Sequence, residues 1–481
     1  MTIEPIGLLT MLAGLLCITL GPGFSIFAFV LSSLLGAAAA VILPALGGAN
    51  IPPSHLLLLF LSVDLALRRR SVTAALQSVT LPRPGFLLLA TVSYGVVTAA
   101  FMPRLFAGLT NVFAIVRSAS SGVIALVPLA PVSGNLTQTV YFVGDLVCFC
   151  IFSSYLAARD RVELLGRALI LCACANLVFG LLDIVTHRTG TAELLGFIRN
   201  ANYAMLNEAE MAGLKRVVGS FTEASSFAAT TLWLFAFCGK LWLCEVRPRV
   251  TGPLAAASLG AIGLATSSTG YAGLAALLFV EYMIGAGHLA MGKATRNTQL
   301  FVLLGPIAFA ALVLGMALHT PTWSTLMELV DQTFARKLSS DSGVERSAWN
   351  QQALLNVIET WGLGVGVGST RASSWLLAVP TSLGVLGALS YFAFTVAVLV
   401  RRGSYTGEAG NVQRAARSAC MAQLMAAAIG AAFVDLGLPF FVLAAVCLAV
   451  PAPYQSARET GDKLFTDAPD PSSRPFPATP I

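Results

Sequence analysis

Apolar residues run in stretches long enough to cross a bilayer, and polar residues collect in the gaps between them. Stretches near 6–21, 25–46, 54–67, 85–102, 139–157, 168–186, 224–244, 252–267, 270–286, 298–318, 375–400, 419–435 and 437–451 each read as a membrane-spanning helix, because roughly 20 apolar residues cover the hydrocarbon core. The shortest, such as 437–451, need a thinned bilayer or flanking side chains that reach its surface. The pattern predicts an all-α polytopic integral membrane protein with about 12–13 transmembrane helices, filling residues 1–451. Three longer polar segments interrupt it, at 103–138, 187–223 and 319–374, the last a larger loop between late helices. Residues 452–481 are rich in proline, serine and charge and read as a disordered cytoplasmic tail.

Composition agrees. Hydrophobic residues make up 56% of the 481 positions and charged residues 11%, with a mean hydropathy of +0.79. A soluble domain carries roughly 25% charged residues, so this chain lacks the polar surface that water demands. Met1 to Pro5 holds no basic residue and no small-residue cleavage site follows, so no cleavable signal is expected. All nine cysteines fall within or beside apolar stretches, which favours packing over disulfides or a metal. The four histidines, 55, 187, 288 and 319, are too scattered for a metal site.

Charge gives the expected orientation. Arg68, Arg69, Arg70 and Arg83, then Arg159, Arg161 and Arg167, Arg247 and Arg249, Lys293 and Arg296, and finally Arg401, Arg402, Arg414 and Arg417 crowd into short loops. Only Asp160, Glu163, Glu245 and Glu408 oppose them there. By the positive-inside rule these loops face the cytoplasm. The segments 103–138, 187–223 and 319–374 are near neutral and are expected on the opposite, periplasmic side. Carboxylates within the spans are few: Asp64, Asp145, Asp183, Glu281 and Asp435. Each is placed near a span end, where pairing or the interface explains it better than a transport pathway does. No internal repeat of the kind seen in many transporters is evident.

Two clusters on the outer side carry candidate chemistry. Lys215 and Arg216 precede Gly219, Glu223, Ser225 and Ser226 at a helix start. Ser220 and Glu223 have the spacing of a capping box, while a helix N-terminus beside Arg216 also suits an anion. The second cluster runs from Glu345, Arg346 and Trp349 to Trp361, the alternating glycines 362, 364, 366 and 368, and then Arg371, Ser373 and Ser374. No strand precedes those glycines and no Gly-Lys-Ser/Thr follows, so a nucleotide loop is rejected. They are read as a closely packed backbone that presents Arg371 at the membrane surface. Arg216, Arg346 and Arg371 therefore share one face. Their planar forks suit a phosphorylated head, or they snorkel to lipid headgroups.

These residues resemble a known family. Arg216-x-x-Gly219-x-Phe221-x-Glu223-x-Ser225 resembles the Arg…Gly-x-Phe-x-Glu-Pro-Ser element of bacterial O-antigen polymerases, exopolysaccharide polymerases and O-antigen ligases. Ser267-Ser-Thr-Gly270, Glu345-Arg346-x-x-Trp349, the 361–368 glycine run and Leu383-Gly384-x-x-Gly387 are similar to later elements of the family and come in its order, covering residues 200–400. Ala224 stands where the family has proline. Ser373 and Ser374 stand where the ligases carry histidine, which favours a polymerase over a ligase.

The resemblance implies a GT-C-like glycosyltransferase membrane fold in a bacterial inner membrane, with its site facing the periplasm. The implied donor and acceptor are oligosaccharide repeat units on undecaprenyl pyrophosphate, joined into exopolysaccharide or O-antigen without metal, nucleotide or other cofactor. Lys215, Arg216, Arg346 and Arg371 would then bind the pyrophosphate, and Glu223 and Arg346 would act at the reacting bond. Membrane lipids and a chain-length regulator or export complex are the implied partners, with no role for nucleic acid. The alternatives are a ligase-type glycan transferase and a flippase or transporter for the same lipid-linked sugar.

Overall fold

The computed structural model describes residues 2–44, 49–117, 122–202, 210–211, 214–320, 323–324, 327–328, 331 and 341–451. The expected tail, 452–481, and the loop cations Arg336 and Lys337 lie outside the described residues. Helices dominate, and among the described residues seven have the length and apolarity to cross a bilayer. They are α5 (Gly85–Leu105), α6 (Ser133–Tyr155), α7 (Arg159–Thr189), α8 (Ala224–Leu243), α10 (Ser268–Ala290), α11 (Arg296–Leu318) and α13 (Trp375–Val400). Four more are apolar but shorter: α1 (Pro5–Leu20), α2 (Pro22–Ser32), α3 (Pro53–Leu67) and α15 (Leu438–Leu448). The remaining helices are α4 (Arg69–Ser78), α9 (Pro248–Leu264), α12 (Asp341–Glu359) and α14 (Gly407–Gly430).

Every expected span meets a helix, but several differ in extent. The run at 25–46 is helical only as α2, to Ser32. Beyond it the chain turns, and β2 (Val41–Leu43) pairs with β1 (Thr2–Ile3) and β3 (Ala49–Ile51). The backbone there serves other segments: Ala37 N–H donates to the Ser220 carbonyl and Ala39 N–H to Asn200 Oδ1. Hydropathy cannot separate such buried non-helical chain from helix. Conversely, α14 begins at Gly407, inside the expected basic loop. Its alanine-rich face is buried, and Gln413 donates to the Val446 and Ala449 carbonyls, closing the end of α15.

The near-neutral segments are structured too. The segment 103–138 holds a hairpin of β4 (Asn111–Arg117) and β5 (Gly122–Pro128). Asn356 and Gln352 of α12 donate to the Asn111 carbonyl, so the hairpin and α12 lock together. Contacts also sort the loops into two sets. Tyr405 donates to the Leu156 and Ala157 carbonyls, and Arg247 pairs with Glu408 at 3.0 Å, all among the basic loops. Arg371 N–H donates to the Phe113 carbonyl, and Ala372 N–H to that of Ala432, on the near-neutral side.

The glycine run organises that side. Gly364, Gly366 and Gly368 have positive φ and thread between α5, α6 and α13. A Cβ on Gly366 would meet the Thr98 carbonyl at 2.6 Å, and one on Gly368 would strike the Gly134 carbonyl. Helix α13 is broken where the run meets it: Gly384 has φ 64° and ψ −177°. Val365 N–H donates to the Thr381 carbonyl (2.8 Å), Gly366 N–H to that of Ser382 (3.2 Å), and Val385 N–H to that of Gly362 (2.8 Å). The loop thus replaces the hydrogen bonds that the broken helix gives up. Gly368→Ala forces a left-handed residue, at about 1–2 kcal/mol, onto a carbonyl, at about 1–3 kcal/mol more. It should lower the thermal midpoint in detergent by several degrees, whereas Gly196→Ala, whose Cβ meets nothing within 4 Å, should leave it unchanged.

Candidate functional site

Asp183, on α7, fixes the segment that delivers the first cluster. Its Oδ1 pairs with Arg199 at 2.7 Å and with Lys215 at 3.2 Å. Its Oδ2 accepts the Val218 and Gly219 N–H groups at 2.8 and 3.2 Å. Both ends of the Arg199 pair are nearly closed to solvent, at 5% and 2% exposure. Lys215, expected to bind pyrophosphate, therefore spends its charge on this structural pairing.

Arg216 points the other way, toward the start of α10. Its Nε donates to Thr266 Oγ1 at 3.1 Å and its Nη2 to the Thr266 carbonyl at 3.2 Å. Thr266 takes a left-handed φ of 44°, uncommon for a β-branched residue. Ser267 next to it caps α10, accepting the Gly270 N–H. Burial pushes the Arg216 guanidinium's proton affinity down, and the Glu223 carboxylate pulls it back up. Arginine stays charged through such a shift.

Glu223 is the N-cap residue of α8, with extended backbone and no side-chain cap bond. The expected Ser220–Glu223 capping box does not form. The Ser220 hydroxyl donates instead to the Leu34 carbonyl at 2.6 Å, because Phe221 seats against Gly36 and turns Ser220 into the core. The Glu223 side chain accepts from Ser225 and acts electrostatically on both Arg216 and Arg371. One carboxylate thus serves two cations that lie 155 positions apart in the chain.

Arg371 is held by faces rather than by a carboxylate. Its guanidinium carbon lies 5.5 Å from the centre of the Trp349 ring and 4.9 Å from that of Phe433. Its Nε is buried without a hydrogen-bond partner, and so is Trp349 Nε1. Burial lowers its proton affinity, opposed by Glu223 and Glu345. Asn350 Oδ1 accepts the Ser373 N–H at 2.8 Å, tying α12 to the chain just after Arg371.

The structure thus brings Arg216, Glu223 and Arg371 together, and sets Lys215 apart on Asp183. Arg346 is half-buried on α12 beside Glu345 and one turn before Trp349. Among the described residues no salt bridge holds it. Thr266 and Phe433 escaped sequence reading. Thr266 falls within the apolar run 252–267, although α9 ends at Leu264, and Phe433 within the run 419–435, although α14 ends at Gly430. All nine cysteines are free, and six are buried, as packing residues should be. Comparison with protein-family models, with curated proteins and with solved structures finds no match for this chain.

Breaking a buried pair strands its partner charge, at roughly 3–5 kcal/mol. Arg199→Ala should therefore lower thermal stability clearly. Lys215→Ala should do so less, because Arg199 still holds Asp183. Equal stability of wild type and Arg199→Ala in a detergent melt would remove Asp183 as the anchor.

Proposed function

We propose that this chain is a membrane-embedded glycosyltransferase that polymerises oligosaccharide repeat units carried on a polyprenyl pyrophosphate, working at the periplasmic face of a bacterial inner membrane. The guanidinium of Arg371, set against the Trp349 and Phe433 rings and bound to no carboxylate, carries the reading. Arg216 converges on the same carboxylate, and the ordered motifs that resemble O-antigen and exopolysaccharide polymerases run through these same residues. A pair of arginines near one acid suits a diphosphate whose negative charge grows as it leaves.

In the proposed reaction the acceptor hydroxyl oxygen bonds to the anomeric carbon of the donor sugar. The anomeric carbon–oxygen bond to pyrophosphate breaks, and the leaving diphosphate keeps the electron pair. Arg216 and Arg371, with Arg346 at the rim, stabilise that charge. Glu223 orients the acceptor hydroxyl and takes its proton, a role open to a carboxylate within hydrogen-bond reach. The apolar bundle around the site would hold the prenyl chains.

A second reading, export of the same lipid-linked sugar across the bilayer, gains from one observation. Asp145 lies at the middle of α6 and not near its end as expected, and it is fully buried. Intramembrane carboxylates mark transport pathways.

The deciding experiment supplies purified protein in detergent with a lipid-pyrophosphate-linked repeat unit and resolves products on a gel. A ladder is expected from wild type. Arg216→Ala, Arg371→Ala and Arg346→Ala should abolish it while protein level and melting behaviour stay intact. Arg371→Lys should recover only a small fraction, since a point charge loses both the flat stacking and the bidentate edge. A full ladder from all three alanine variants would sink the site. No ladder, together with movement of intact lipid across liposomes, would favour export.

A further inference from the structure

Beneath the arginine cluster lies a second set of polar groups that the proposed transfer does not use. Asp145 is 0% exposed, and neither of its carboxylate oxygens has a hydrogen-bond partner. It stands 12 residues after Ser133 and 10 before Tyr155 on α6, about 15–18 Å of helix from either end. The Tyr391 hydroxyl on α13, also 0% exposed and unpartnered, lies within electrostatic reach of it. Asp435 faces Asp145 from the non-helical chain between α14 and α15. His55, at the start of α3, acts on Asp435, and neither ring nitrogen of His55 is hydrogen-bonded. Four segments converge, and three of them bring polar atoms with no partner.

An ionised carboxylate in such a place needs a cation or several donors. The other buried acids obey this rule: Asp64 has Arg68 and Tyr155, Asp183 has Arg199 and Lys215, and Glu281 has Lys240 and Ser418. Asp145 has neither. The titratable groups near it among the described residues are Asp435, Tyr391, the thiol of Cys148 one turn along α6, and His55 beyond Asp435. Among the described residues no salt bridge reaches Asp145 or Asp435. Asp435 is better served, since its Oδ1 accepts the Gly437 N–H. Two carboxylates that face one another in apolar surroundings cannot both ionise cheaply.

We propose that Asp145 and Asp435 form an intramembrane proton-binding site that holds one proton, resident on Asp145, with Tyr391 as its neighbour. The site sits directly under the arginine cluster. The chain 431–437 that carries Asp435 also carries Phe433 against Arg371 and Val434, whose carbonyl accepts Trp375 Nε1–H at 3.0 Å. Phe142, Gly368, Phe433 and Asp435 line one narrow crevice, so the glycine loop and the chain that carries Asp435 lie side by side. Loss of the proton would place a second negative charge at Asp435's side and push on the chain that clamps Arg371.

The test is infrared spectroscopy of purified protein in lipid nanodiscs at neutral pH, comparing ordinary and heavy water. Wild type should show a deuterium-sensitive protonated-carboxyl band. Asp145→Asn should lose it, because the proton resides on Asp145, whereas Asp435→Asn should keep it at a shifted frequency. Dicyclohexylcarbodiimide, which reacts with protonated carboxyls in apolar surroundings, should label wild type at Asp145, with labelling falling as pH rises. A wild type showing neither band nor label, or a band unchanged in Asp145→Asn, overturns the proposal. A band that disappears when sodium is added at constant pH overturns it in favour of a metal-cation site. None of these readouts involves glycan transfer, so a failed polymerisation assay leaves the proton site standing.

Discussion

Within a bilayer a peptide group that leaves the helix must find its partner in the protein, because no water is there to replace it. That requirement governs the half of this molecule where the arginines gather. The chain at 360–374 enters between α5, α6 and α13 without being helical, and α13 is broken at Gly384 to receive it. Loop and broken helix then exchange backbone hydrogen bonds at Thr381, Ser382 and Gly362. Thr360 completes the exchange by accepting the Gly364 N–H at 3.1 Å. Glycine is required where the approach is closest: at Gly384 any Cβ would meet the Gly362 carbonyl at 2.5 Å. With this join made, the position of Arg371 follows, since only Ser369 and Thr370 separate it from Gly368.

Side chains meet the same requirement elsewhere. Asn135 on α6 donates to the Val367 carbonyl and to Ser369, both at 2.8 Å, holding the far end of the glycine loop. Asp183 accepts the otherwise unpaired Val218 and Gly219 N–H groups, and Arg199 balances its charge. The two irregular segments are thus supported separately, one by a broken helix and one by a buried ion pair. They meet at Glu223. A rigid frame of this kind spares a charged site the cost of ordering its own loops.

Much of this was legible in the chain, and the failures have physical causes. Apolar runs located the helices, and the loops sorted by basic residues pack into two separate sets. The alternating glycines were rightly read as a close backbone approach. Hydropathy failed where buried chain is not helical, at Val41–Leu43 and again at 431–437, because burial sets apolarity and backbone geometry does not. It also misjudged α14, where buried alanines and Gln413 score as weakly apolar while packing completely. Spacing suggested a capping box at Ser220, but a tertiary contact at Leu34 outcompeted it. The depth of Asp145 was misplaced because α6 starts at Ser133, six residues before the apolar run does. The partners of Lys215 and Arg371 come from Asp183 and Phe433, and no local pattern announces contacts across such distances in sequence.

The contrast between the two kinds of cation is what gives the face that carries the arginines its chemical character. Arg199 and Lys215 each sit within 3.2 Å of a carboxylate and present little net field. Arg216 is held by a hydroxyl and a carbonyl, and Arg371 by two aromatic rings, so each is fixed in place without being neutralised. Their shared carboxylate, Glu223, can offset only one of them. Glu345 is exposed, and its charge is screened by water and salt. A positive surplus in a half-buried setting acts strongly on an anion, because the effective dielectric constant there is well below that of water. Holding arginines by neutral groups is therefore how a folded chain keeps charge available for something that is not part of itself.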